Sequence, residues 1–211
     1  MSDDENSPVE DGTRLGVLSR HYSETLELVR AAVDKRDRLF VYILVVIFLL
    51  LLYMSAPTVV GDLLNTFISS HAGTANSPAG LRLINVAFIG TVLSLGLLSL
   101  AHTYFQTVLH VERQYAYAYQ LEDLLSIHFD GQAFIREGRH YLAHKRLFSK
   151  WTGFIFWVLF PLLFLVFNLT WLAFLFTRSQ APAIYLVVDS LVSLSILTSL
   201  GFFLLALLKK K

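Results

Sequence analysis

The hydrophobic and polar positions of this chain are grouped in long blocks, each the length of a whole helix. Four apolar runs occupy residues 39–56, 83–101, 151–177 and 183–208. About 20 consecutive apolar residues are enough for a helix to cross the ~30 Å hydrocarbon core of a bilayer. The pattern predicts an all-α polytopic membrane protein with four transmembrane helices and a cytoplasmic helical layer.

Composition narrows the classes of protein that fit this pattern. Of the 211 residues 55% are hydrophobic and 16% are charged, with a mean hydropathy of +0.58, whereas an average soluble domain carries ~25% charged residues. This excludes a soluble globular enzyme. The net charge of +1 argues against a nucleic-acid binder that relies on bulk positive charge. The chain has no cysteine, which excludes a disulfide framework and thiolate metal sites.

The basic residues predict how the chain is oriented in the membrane. Fifteen of the 17 Lys and Arg residues lie before the first run, between the second and third, or after the fourth. Lys and Arg concentrate in cytoplasmic segments of membrane proteins. We therefore expect both termini and the central loop in the cytoplasm, most simply beneath a bacterial inner membrane.

These patterns divide the chain into five segments. They are a disordered acidic tail (1–13), a cytoplasmic amphipathic helix (14–38), the first two transmembrane helices with their outer loop (39–109), a cytoplasmic helical region (110–150), and the last two transmembrane helices with a basic C-terminus (151–211).

The amphipathic helix has a single apolar stripe with spacings of three and four residues, formed by Leu15, Leu18, Tyr22, Leu26, Val29 and Val33. We expect this stripe to pack against another helix, with the membrane surface as the alternative. The second span has no proline from residue 83 to about residue 128 and reads as one long helix. Its cytoplasmic continuation is the expected partner of the stripe.

The second span has two contrasting faces when its residues are placed about 100° apart. Candidate pore-lining residues form a polar stripe: Ser99, His102, Thr103, Gln106 and His110. Small residues that permit close helix packing lie opposite: Ala87, Gly90, Ser94 and Ala101. The stripe would line a water-filled path. Alternatively, its hydroxyls bond their own helix while His102 and Gln106 lie at the interface.

Polar residues inside the third and fourth spans are further candidates, because such groups are costly in hydrocarbon. Asp189 is the only acidic residue within a predicted span, and the short loop before it places Asn168 and Ser193 at similar depths. Asp189 would attract a cation or bind a proton near the outer mouth of a pore. Alternatively, it pairs with Arg178 or Arg82, or is protonated and bonded to Asn168.

Candidates for docking a soluble partner lie in the cytoplasmic region. Tyr115, Tyr117 and Tyr119 cannot all share one helical face, so at least one is expected to be available to another chain or a ligand. Arg136 and Arg139 are the basic candidates further along.

The chain lacks the usual signatures of catalysis. It has no glycine-rich phosphate loop, no nucleophile elbow and no paired-carboxylate motif. His140 and His144 are four residues apart, but no acidic residue completes a metalloprotease pattern. We predict no enzymatic activity, no cofactor and no metal site.

Three short stretches combine with the four-span layout to suggest a family: residues 34–40 (DKRDRLF), 136–142 (REGRHYL) and 148–151 (FSKW). In these features the chain resembles small membrane proteins of bacterial anti-phage defence modules of the Hailong and Kiwa types. The resemblance implies an oligomeric membrane effector or sensor that is held inactive until a cytoplasmic partner or nucleotide signal changes. It assigns no role to any individual residue.

Two functions are compatible with these observations. The first is a homo-oligomeric gated channel or pore that perturbs membrane integrity or potential and is controlled through its cytoplasmic helices. The alternative is a non-conducting membrane anchor or adaptor that recruits a soluble partner through the same helices. Both require membrane lipids and a soluble cytoplasmic partner or ligand, and neither requires direct binding of nucleic acid.

Overall fold

The computed structural model describes residues 8–71, 86–126, 151, 154–177 and 181–209. Every regular element within these residues is helical, which confirms the all-α class. Four helices are long and apolar enough to cross a membrane, as the four apolar runs predicted. The cytoplasmic candidates Arg136, Arg139, His140 and His144 lie outside the described residues, as do Arg82 and Arg178.

Five α-helices make up the described chain: α1 (Pro8–Ser55), α2 (Pro57–His71), α3 (Val86–Ser126), α4 (Phe160–Thr177) and α5 (Ala183–Leu208). The amphipathic segment and the first apolar run belong to one continuous helix, α1. Similarly, α3 continues well beyond the apolar part of the second span. No proline interrupts either helix after its first residue, so the backbone hydrogen bonds continue from turn to turn.

Helix α2 lies where the sequence indicated only an outer loop. Its first residue is Pro57, a position at which a missing N–H group costs little. Helical hydrogen bonds continue across the junction between α1 and α2, because the Ala56 N–H donates to the Leu52 carbonyl and the Val60 N–H donates to the Ala56 carbonyl. Proline at this position therefore starts a new helix directly after α1.

A π-helical turn, Ile155–Leu159, precedes α4. Pro161 follows this turn. Proline has no N–H to donate, and its ring clashes with the backbone carbonyl four residues earlier in an ordinary α-helix. A widened turn accommodates such a residue without ending the helix. On this turn, the Phe156 ring lies 4.9 Å from the Arg36 guanidinium carbon, which is a cation–π contact.

The chain divides into two compact units. Unit 1 comprises residues 1–37 and 106–157, and unit 2 comprises residues 38–105 and 158–211. In unit 1, the Tyr22 hydroxyl donates a 2.8 Å hydrogen bond to Glu122, a residue only 8% exposed. This bond joins the amphipathic part of α1 to the continuation of α3, the pairing expected from the sequence.

Removing the Tyr22 hydroxyl tests this pairing. Tyr22→Phe should lower the free energy of unfolding by about 1.5 kcal/mol, because a part-buried hydrogen bond to a carboxylate is lost. Detergent-solubilised protein unfolded by SDS titration provides the measurement. Tyr42→Phe is the matched control on the same helix, since Tyr42 is 54% exposed and should give little change. An equal loss in both variants would contradict the assigned role of the bond.

Aromatic side chains form the core of unit 2. Phe160 and Phe164 of α4 stack with centroids 5.8 Å apart, while Tyr104 and Phe105 of α3 meet them edge-on at 5.1 and 6.0 Å. Phe203 of α5 stacks on Phe105 at 4.7 Å. These contacts fix which face of α3 points into unit 2.

Candidate functional site

The small-residue face of α3 points into the interior of unit 2. The four residues predicted for close packing are all buried: Ala87, Gly90, Ser94 and Ala101. Gly90 is the tightest point, since a Cβ atom there would lie 3.3 Å from the Tyr53 ring and 3.4 Å from the Trp171 ring. Helices α1 and α4 therefore approach α3 closely because residue 90 has no side chain.

Asp189 meets this small-residue face. One of its carboxyl oxygens, Oδ1, lies 2.7 Å from the Ser94 hydroxyl, and Oδ2 lies 3.2 Å from the Thr91 hydroxyl. The Asp189 side chain is 3% exposed. Asp189 therefore contacts the small-residue face of α3 and not its polar stripe. Its described hydrogen bonds are with hydroxyls of α3 rather than with Asn168.

Further polar groups are buried around Asp189 and along the same faces. Asn168 and Ser193 are each 1% exposed. Among the described residues, Asn168 Oδ1, Trp171 Nε1 and Ser190 Oγ are buried without a hydrogen-bond partner. The Tyr53 ring lies beside Gly90, the residue before Thr91. Unit 2 therefore contains buried polar groups from α3, α4 and α5 in addition to its aromatic core.

Thr91 was not among the residues selected from the sequence. It lies four residues after Ala87 and three before Ser94, so helical spacing places it on the small-residue face. That spacing was the signal in the sequence that could have identified Thr91. The sequence of α3 alone does not show which helix packs against this face.

The polar stripe of α3 faces outward. In unit 2, Ser99, His102 and Thr103 line an open groove of ≈ 430 Å³ together with Leu95, Leu98, Ser195 and Ser199. Ser99 and His102 are exposed and Thr103 is partly exposed. In unit 1, Gln106 and His110 are exposed as well. The structure thus separates the candidate pore residues: five lie on the outer face of α3, while Asp189 lies inside unit 2.

Some hydroxyl groups of the groove are satisfied by their own helices. The Thr103 hydroxyl donates to the Ser99 carbonyl at 2.9 Å, and the Ser195 hydroxyl donates to the Leu191 carbonyl at 2.8 Å. This is the self-bonding considered as the alternative for the stripe. His102 is consequently the most polar exposed side chain of the groove.

Two of the three tyrosines pair with each other. Tyr115 and Tyr119 are one helical turn apart and their rings stack, with centroids separated by 6.3 Å. Tyr117 points elsewhere and is 46% exposed. Tyr117 is therefore the tyrosine best placed to contact another molecule.

No known protein-family model, curated protein or solved structure matches this chain. The class that the fold supports is an all-helical protein with four helices capable of spanning a membrane. In the part of the chain that the structure describes, no three His, Cys, Asp or Glu side chains come together as a metal site.

Proposed function

We propose that this protein is a homo-oligomeric, gated channel or pore of a bacterial membrane, with both termini in the cytoplasm. We further propose that it acts as an effector in anti-phage defence, as the resemblance to four-span defence proteins implies. The single observation that carries the channel proposal is the open groove between α3 and α5 on the outer face of unit 2, where polar side chains lie beside two leucines.

Polar side chains on the outer surface of a membrane bundle, such as His102 and Ser99 in this groove, are unfavourable in contact with hydrocarbon. Polar side chains in spans usually face other helices or a water-filled cavity. Because the groove is open on the surface of a single chain, other copies are the simplest cover, and a ring of copies would enclose the grooves around water. His102, Ser99, Thr103, Ser195 and Ser199 would then contribute to the lining.

Control would come from the cytoplasmic part of the chain. Tyr117 offers an exposed aromatic side chain, and Arg136 and Arg139 are basic candidates in the same predicted region. A partner or ligand opens the channel only if it binds the open state more tightly than the closed state. A docking surface on unit 1 would supply this difference in affinity.

Replacing one groove residue tests the proposal. Bacteria that express the wild-type protein should lose membrane potential, as followed with a voltage-sensitive dye. At matched membrane abundance, His102→Leu should abolish most of this loss, because it places an apolar side chain in the proposed water path. Thr170→Leu is the matched control, since Thr170 is an exposed polar residue of α4 outside the groove.

The outcomes separate the two candidate functions. Depolarisation by wild type and Thr170→Leu, but not by His102→Leu, supports a channel lined by the groove. Equal depolarisation by all variants would show that the lining lies elsewhere. If no variant depolarises the cells, the non-conducting adaptor becomes the better account of the chain.

A further inference from the structure

The hydrogen-bond geometry around Asp189 contains more acceptor contacts than the two hydroxyls can serve. Ser94 Oγ lies 2.7 Å from Asp189 Oδ1 and 3.0 Å from the Thr91 carbonyl. Thr91 Oγ1 lies 3.2 Å from Asp189 Oδ2 and 3.2 Å from the Ala87 carbonyl. Each hydroxyl carries one proton, so the two together can donate into only two of these four contacts.

A protonated Asp189 supplies a third proton. Its carboxyl O–H would donate to Ser94 Oγ across the short 2.7 Å contact, which leaves the Ser94 proton for the Thr91 carbonyl. The Thr91 proton then serves the Ala87 carbonyl or the other Asp189 oxygen. The ionised carboxylate can only accept, so two of the four contacts would lack a proton, compared with one when Asp189 is protonated.

The surroundings of Asp189 also favour the neutral form. The side chain is only 3% exposed. Among the described residues, no Lys, Arg or His forms a salt bridge with it. The groups bonded to Asp189 are uncharged, namely Thr91 and Ser94 on α3, and the rings beside the adjacent Gly90 are those of Tyr53 and Trp171. A buried charge without a counter-ion is strongly disfavoured.

We propose that Asp189, Ser94 and Thr91 form an intramembrane proton-binding site, and that the proton is bound in the conformation described here. With the proton bound, both contacts between α5 and α3 can be hydrogen bonds while the Ser94 hydroxyl also donates to the Thr91 carbonyl. Loss of the proton places a negative charge between these helices and loosens their packing. The proposal concerns the inner face of α3 and does not depend on the outer groove conducting ions.

Infrared spectroscopy of the purified protein in lipid tests for this proton directly. At neutral pH, the wild-type spectrum minus the Asp189→Asn spectrum should contain a carboxylic-acid carbonyl band from Asp189. The same subtraction for Asp62→Asn should show a carboxylate band instead, because Asp62 is exposed on α2. A carboxylate band for Asp189 would overturn the proposal. If Asp189→Asn does not fold, the wild-type protein can instead be prepared with isotope-labelled aspartate. A proton on Asp189 then requires a carboxylic-acid band that shifts with the label, and the absence of such a band would overturn the proposal.

The dependence of stability on pH provides a second, independent readout. The proposal requires Asp189 to release its proton when the helices separate and the side chain reaches water, where an aspartate ionises near pH ~3.9. Unfolding temperatures should therefore fall as the pH rises from about 5 to about 8. Asp189→Asn mimics the protonated group and should remove this dependence, whereas Asp62→Asn should retain it. An unchanged pH dependence in Asp189→Asn would contradict the proposal.

Discussion

Replacing Phe164 by alanine is expected to lower the free energy of unfolding by about 3–5 kcal/mol, the usual range for truncating a buried phenylalanine. Phe164 is 1% exposed and contacts Phe105 and Phe160 through its ring. In a membrane, the loss comes chiefly from missing packing contacts, because lipid chains are as apolar as the protein interior. SDS titration of the detergent-solubilised protein measures the change.

Phe202→Ala is the matched control for this substitution. Phe202 lies on α5 and is 69% exposed, so it can be truncated without opening a cavity. Its free energy of unfolding should remain within about 0.5 kcal/mol of the wild-type value. A comparable loss in both variants would show that the aromatic contacts of unit 2 are not its main source of cohesion.

The second large effect is expected at Gly90. In Gly90→Leu, a side chain must enter space where even a Cβ would lie 3.3 Å from the Tyr53 ring and 3.4 Å from the Trp171 ring. Tyr53 and Trp171 are themselves buried, at 7% and 2% exposure, so they have little room to move. We expect a loss of about 1–3 kcal/mol or more in the free energy of unfolding, as overpacking of a dense core produces.

Gly96→Leu separates overpacking from the general effect of replacing a helical glycine. Gly96 lies on the same helix, and nothing is within 4 Å of a Cβ built there. This variant should be neutral or slightly stabilising, because leucine is a better helix former than glycine by up to ~1 kcal/mol. Equal destabilisation of the two variants would argue against close packing at Gly90.

The Gly90 substitution also bears on the proton site. Gly90 directly precedes Thr91, so a displacement of α3 at this point moves the two hydroxyls that face Asp189. We expect Gly90→Leu to weaken the dependence of stability on pH as well as the stability itself. Gly96→Leu should leave the pH dependence intact.

The sequence alone predicted most of the helices. A run of about 20 apolar residues has few alternatives to a spanning helix, because every backbone group must be bonded within the segment. Helix α1 is continuous through residue 38, where the chain has no proline or glycine. Helix α2 was missed because the residues between the first two apolar runs were assigned to the outer loop, although Pro57 begins a helix.

The sequence by itself also determined the two faces of α3, since helical spacing alone separates Gly90 and Ser94 from Ser99 and His102. Only the tertiary structure decided that the small face meets Asp189, which lies 95 residues beyond Ser94 in the chain. Helix α5 is apolar around most of its circumference, so its sequence contains little to fix its rotation. Because lipid and protein interior are almost equally apolar, burial of apolar side chains does not select one rotation of α5 over another. The contacts with Ser94 and Thr91 therefore set the direction in which Asp189 points.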